Sequence, residues 1–143
     1  HALHSDPNCV FCKIVAGAIP ALRVFEDADV LAFLDVGPLS EGHALAIPKE
    51  HFPTLEDMPA DRFALVASRL PRIADAVRRA VGAQGCNLLL NVGREAGQEV
   101  PHLHWHIIPR VAGDKLGYRW NASTYPPGRG EEVRQAVKDA LEA

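Results

Sequence analysis

Residues His102-Leu103-His104-Trp105-His106-Ile107-Ile108-Pro109 set three of the chain's seven histidines at strict alternation. In an extended strand successive side chains point to opposite faces, so His102, His104 and His106 share one face. Leu103, Trp105 and Ile107 then fall on the opposite, packed face. Neighbouring histidines of such a row stand about 7 Å apart, too far to depend on ring-to-ring contact. That span suits a metal ion or a phosphate group lying across them. Three imidazoles can hold a catalytic zinc. The plainer alternative is a set of surface histidines on an amphipathic strand.

A second constellation lies near the start of the sequence. Cys9-Val10-Phe11-Cys12 has a metal-type spacing. A redox reading would need a strand running into a helix, and no strand precedes Cys9. A closed structural zinc site needs two further ligands. His51, just after Pro48-Lys49-Glu50, and one histidine of the row are candidates. If zinc takes His102 from the end of the row, His104 and His106 stay free for chemistry. Two reduced packing thiols are the alternative. Cys86, inside an apolar run, reads as a core thiol.

The rest of the chain must position these groups. It has 143 residues, 48% apolar and 23% charged, which suits one domain with a core of its own. We expect a single domain over 1–143, with 9–110 as its core. Residues 1–8 are expected as an unstructured or appended lead, in which His1 and His4 are given no chemistry, and 111–143 as a tail and helix. The formal charge is −3, and basic residues do not run together beyond pairs such as Arg78-Arg79. A broad nucleic-acid footprint is therefore not expected, and any bound phosphate must be held locally. No apolar stretch is long enough to span a membrane. Three cysteines read as thiols point to a reducing compartment, hence the cytoplasm.

A short helix follows Cys9 and ends near Gly17. Leu22 to Glu26 and Val30 to Leu34 predict a hairpin across Asp27-Ala28-Asp29. A polar loop, 37–42, leads into a strand from His43 to Pro48. Phe63, Val66, Leu70, Ile73, Val77 and Ala80 recur at steps of three and four, predicting one long amphipathic helix that Pro71 must kink or split. Cys86 to Val92 reads as a buried strand and Glu131 to Leu141 as a closing helix. The sum is an α+β fold, a mostly antiparallel sheet of about five strands with helices on one side.

The row of histidines fits His-φ-His-φ-His-φ-φ (φ is apolar), the pattern of the histidine-triad (HIT) nucleotide hydrolases and transferases. Cys9-x-x-Cys12-Lys13-Ile14, Ala32-Phe33-Leu34-Asp35, Gly42-His43-x-Leu45-x-Ile47-Pro48-Lys49-x-His51, Asn91-x-Gly93 and Gly97-Gln98 resemble elements of that family in the same order. The similarity runs from about Cys9 to Pro109 and is greatest to the nucleoside phosphoramidase branch with its bacterial homologues. The resemblance implies that His104 is the nucleophile, forming a covalent nucleotidyl-imidazole. A neutral imidazole suits that role, being abundant at pH 7 and needing no separate base. It further implies that His106 donates to a phosphate oxygen and that His43 joins the same site. Asp35 would grip ribose hydroxyls, and Asn91, the backbone of Gly97 and Gln98, and Val100 would line the phosphate pocket. Phe11, Phe33 and Ile14 would face the base, although core packing explains them as well. The implied ligands of a structural zinc are Cys9, Cys12, His51 and His102. The implied partners are a purine nucleotide and a second copy of the chain, with Tyr118, Arg119 and Trp120 as candidate specificity residues. A dinucleoside polyphosphate hydrolase or phosphorylase is the nearest alternative activity. A zinc-stabilised nucleotide-binding dimer without catalysis is the alternative of another class. One departure stands out: Glu99 occupies a position where the branch usually has Ser or Thr. An ionised carboxylate cannot donate to a leaving group as a hydroxyl can.

Overall fold

A computed structural model describes residues 4–116 and 122–142. The sheet has five strands: β1 (Arg23–Glu26), β2 (Val30–Leu34), β3 (Ala44–Pro48), β4 (Gly85–Leu90) and β5 (Trp105–Arg110). They lie in the order β1-β2-β3-β5-β4, and every neighbouring pair is antiparallel. The predicted hairpin forms because Asp27 closes its turn, its Oδ1 accepting the N–H groups of Asp29 at 2.8 Å and Val30 at 2.9 Å. The fold is thus the expected α+β arrangement.

Pro71 splits the predicted long helix into α2 (Ala60–Ala67) and α3 (Leu70–Ala80). It sits in the first turn of α3, where no helical N–H partner is needed. The apolar stripe survives the break. Val66, Leu70, Ile73 and Val77 are buried together against Val30, Ala32, Leu103, Trp105 and Ile107. On the polar side, Arg69 reaches Asp27 at 2.8 Å and Arg62 reaches Asp29 at 3.1 Å, tying the helices to the hairpin turn.

Helices do not keep to one side of the sheet, as the sequence led us to expect. The six-residue α1 (Val10–Val15) covers the opposite face, where Phe11 and Ile14 pack with Leu31, Phe33, Leu45 and Ile47. Residues 4–8, expected from the sequence as an unstructured or appended lead, are hydrogen-bonded to the domain: the His4 carbonyl accepts from His51 N–H at 2.8 Å and the Asp6 carbonyl from Cys9 N–H at 3.1 Å. The closing helix α4 (Arg129–Glu142) forms but buries no residue, and Val137 and Leu141 remain exposed. No helix among the described residues is long and apolar enough to cross a membrane.

The histidine row is only partly strand. β5 begins at Trp105, so His102 and His104 precede the ladder. Their segment bonds instead to neighbouring loops: His102 N–H donates to Val100 O and Leu103 N–H to Phe52 O, both at 2.8 Å. Alternation persists nonetheless, with Leu103, Trp105 and Ile107 in the helix-covered core.

Candidate functional site

The row divides into two sites. His102 is completely buried and turns toward α1. Its Nε2–H donates to the Pro48 carbonyl at 2.8 Å, which leaves the Nδ1 lone pair facing Cys9 Sγ at 3.4 Å, Cys12 Sγ at 3.6 Å and His51 Nδ1 at 3.2 Å. Cys12 Sγ lies 3.4 Å from His51 Nδ1. A tetrahedral zinc with ordinary Zn–S and Zn–N lengths needs donor separations of about 3.3–3.8 Å. Burial pushes the His102 pKa down to about 4 and lowers that of His51, so both rings are neutral at pH 7. Two thiols and two neutral imidazoles aimed at one point are a fitting donor set for zinc. α1 supplies the thiols because one turn brings Cys9 and Cys12 together, and the end of β3 delivers His51.

His104, in the same segment before β5, opens to the cleft instead. Its Nδ1–H donates to the His102 carbonyl at 2.8 Å. In the neutral ring Nε2 is therefore unprotonated and carries a free lone pair. The ring of His106 stands beside it, centroids 5.0 Å apart. The two rings thus stand closer than the spacing of about 7 Å that strand alternation led us to expect.

A backbone amide sets the tautomers of the remaining pair. Leu39 N–H donates to His43 Nδ1 at 3.0 Å, so the proton of neutral His43 lies on Nε2. That group donates to His106 Nδ1, 3.0 Å away, and the proton of neutral His106 is left on its own Nε2. The Asp35 carboxylate is 3.7 Å from His43 Nε2. Donor atoms of Asp35, His43 and His106 all lie within 4.8 Å of one another. With the His43 nitrogen protonated, however, they form a hydrogen-bond chain and not a cation site. Burial lowers the pKa of both histidines; Asp35 opposes this at His43, while His104 and His43 add to it at His106.

Gly42 makes the approach of His43 possible. It has φ +89°, and a Cβ there would stand 2.9 Å from Val81 Cγ1 and 3.2 Å from Pro109 Cγ.

His43, His104 and His106 line an open cleft of about 630 Å³. Phe11, Phe33, Ile14, Asp35, Asn91, Gly97, Glu99 and Val100 line it as well. Phe11 is shared by both sites: its ring is 5.8 Å from His102 and 5.2 Å from His104. Gln98 is the expected pocket residue that does not reach the cleft. It is buried, with Oε1 accepting from Gly93 N–H and Nε2 donating to the Pro53 and Val100 carbonyls. Its own N–H is bonded to Gly93 O. Gln98 fixes the loop while its neighbours form the wall. Tyr118, Arg119 and Trp120 lie outside the described residues.

Reading the sequence missed four participants. The Leu39 amide was hidden in a segment legible only as a polar loop. Asp6 approaches the cluster, its N–H 3.4 Å from Cys12 Sγ, within the residues read as a lead. Ile19 and Ala21 complete the apolar wall of the cleft, and nothing in their spacing marks them.

The model of the HIT domain matches residues 16–113. The chain belongs to the HIT family. It is 40% identical over 136 residues to adenosine 5'-monophosphoramidase hnt1 of Schizosaccharomyces pombe, covering 92% of this chain and 99% of that one. Identity to adenylylsulfatase HINT3 of Arabidopsis thaliana is 49% over 109 residues, or 76% of this chain, which spans only 55% of that longer protein. Among solved structures, one from Streptococcus mutans UA159 superposes with a TM-score of 0.91 at 39% identity, over 96% of this chain and 87% of that one. A zinc-bound histidine triad family protein from Mycobacterium smegmatis gives a TM-score of 0.73 at 41% identity, over 94% and 96% of the two chains.

Proposed function

We propose that this HIT chain is a nucleotide hydrolase that acts through a nucleotidyl group carried on His104, with purine nucleoside phosphoramidates or related conjugates as substrates. The observation that carries the reading is the tautomer of His104: its one proton is given to the His102 carbonyl, so the other nitrogen is a nucleophile without needing a base. That lone pair attacks phosphorus, the phosphorus–nitrogen bond of the substrate breaks, and the amine departs with a proton from solvent. Water then cleaves the new phosphorus–imidazole bond, returning His104 and releasing nucleoside monophosphate. The His102 carbonyl stabilises the positive charge on the ring during attack, and His106 donates its Nε2–H to a phosphate oxygen as negative charge gathers there. His43, its tautomer set by the Leu39 amide, positions His106. Asp35, at the cleft wall, accepts from ribose hydroxyls, and the Phe11–Phe33 pair offers an apolar surface to the base. The monophosphoramidase name of the fission yeast relative supports the substrate class.

Cys9, Cys12, His51 and His102 would hold a structural zinc, joining α1 to the segment that precedes β5. The zinc-bound mycobacterial relative supports this, and the metal takes no part in the steps above. We further propose a homodimer formed through the outer edge of β4, which ends the sheet with Leu88 exposed.

Release of AMP from adenosine 5'-phosphoramidate, followed beside diadenosine tetraphosphate, tests the reading. We expect AMP from the phosphoramidate and none from His104→Ala. Turnover that survives in His104→Ala, or preference for the tetraphosphate, would overturn it.

A further inference from the structure

The cleft that holds His104 is lined by two carboxylates, Asp35 and Glu99, and by no lysine or arginine among the described residues. A site that takes a chain of phosphates ordinarily supplies guanidinium or ammonium groups to match the charge. Here a single phosphoryl group can be met by the imidazoles of His104 and His106, but a second or third phosphate would meet no lysine or arginine among the described lining residues.

The two carboxylates are not equivalent. Asp35 is turned inward: Oδ1 accepts from Gly37 N–H at 2.8 Å, and Oδ2 lies 3.7 Å from His43 Nε2. Glu99 makes no hydrogen bond or ion pair among the described residues and is exposed. Its backbone is nonetheless firmly placed. On one side Gln98 is anchored at three backbone groups; on the other, the Val100 carbonyl accepts from both Gln98 Nε2 and His102 N–H. An exposed carboxylate without a partner among the described residues, on a fixed stem, therefore stands in the wall of the same cleft as His104, five residues from it in sequence.

We propose that Glu99 is a specificity-determining residue, a charge filter on the leaving-group side of the cleft that favours nucleotide conjugates whose departing amine carries a second, positively charged group and disfavours polyphosphates. This rests on the phosphoryl-transfer reading above. A carboxylate in a half-open cleft attracts an ammonium and repels a phosphate over several ångströms, and salt screens both effects.

Adenosine 5'-phosphoramidates of pentylamine, 1,5-diaminopentane and 5-aminopentanoate differ in the charge of the leaving group but little in size. For the native chain kcat/KM should fall from the cationic to the neutral to the anionic conjugate, by about 10-fold across the series at low salt. Glu99→Gln should compress that range to about 2-fold, Glu99→Lys should invert it, and raised salt should flatten it. Diadenosine tetraphosphate should gain in Glu99→Lys. The same ranking is to be measured as Kd in His104→Ala, where no chemistry is needed. An order indifferent to residue 99 in both turnover and binding would overturn the filter. A charge ranking in binding, with no turnover of any conjugate by the native chain, would overturn the hydrolase reading and leave the filter standing.

Discussion

Two sets of side chains built on the same few residues do opposite things. Around His102, four lone pairs converge in a dry interior. Around His104, one lone pair opens into a cleft while its neighbours present protons. The imidazole is the same in both. What differs is the backbone group on its far nitrogen: the Pro48 carbonyl claims Nε2–H of His102, and the His102 carbonyl claims Nδ1–H of His104. One ring therefore leaves its Nδ1 lone pair free, which the proposal assigns to zinc, and the next leaves Nε2 free, which it assigns to phosphorus. At His43 the backbone group is a donor, the Leu39 amide, and the tautomer is set by supply of a proton instead of its removal. Histidine-rich segments acquire their functions from the carbonyls and amides they meet.

The comparison breaks most visibly at His104. Replacing it with alanine should lower kcat for the phosphoramidate by about 10⁴-fold or more while leaving bound metal unchanged, read by AMP release and metal analysis. Loss of the other set should act on the fold. Cys12→Ser, or chelation of the native chain, should remove the metal and lower Tm by about 10 °C or more, with any rate loss tracking the unfolded fraction in a calorimetric scan. If chelation stops turnover at once with Tm unchanged, the division between the sites is wrong.

The His43 chain sharpens the contrast at smaller cost. His43→Ala leaves His106 free to take the other tautomer, and kcat should drop by about 10- to 100-fold with little change in KM. The pH profile is subtler. Burial lowers the pKa of His43 and His106 from the ordinary 6.5, so both remain neutral and the chain intact at that pH. As pH falls further, protonation of His106 Nδ1 removes its acceptor. The part of the acid limb of kcat/KM that belongs to the His43–His106 pair, read as the part that His43→Ala alters, should therefore lie below pH 6.5. The same direction of shift makes the unfolded chain bind more protons below pH 6.5, so stability declines there too.

Much of this was legible in the residues. Alternation at 102–107 separated the histidine face from the packed face, and it held even where the strand had not begun, because Leu103 and Trp105 seek the core wherever the ladder starts. Pro71 announced a break that no apolar period could hide. The face chosen by α1 was not legible, since six residues carry too little periodicity to choose a side. What the Gln98 side chain does was not legible either: its amide bonds three backbone groups, of Gly93, Pro53 and Val100, that are distant or irregularly spaced in sequence. The Leu39 amide was invisible for a simpler reason: a backbone donor leaves no mark on the residue type.

Intact-protein mass after brief mixing with a nucleoside phosphoramidate, quenched without acid, addresses His104 directly. The native chain should gain one nucleotidyl group, His104→Ala should gain none, and the gain should decay as monophosphate appears. Monophosphate formed at full rate with no mass gain at any time, or a gain that persists in His104→Ala, would contradict the account.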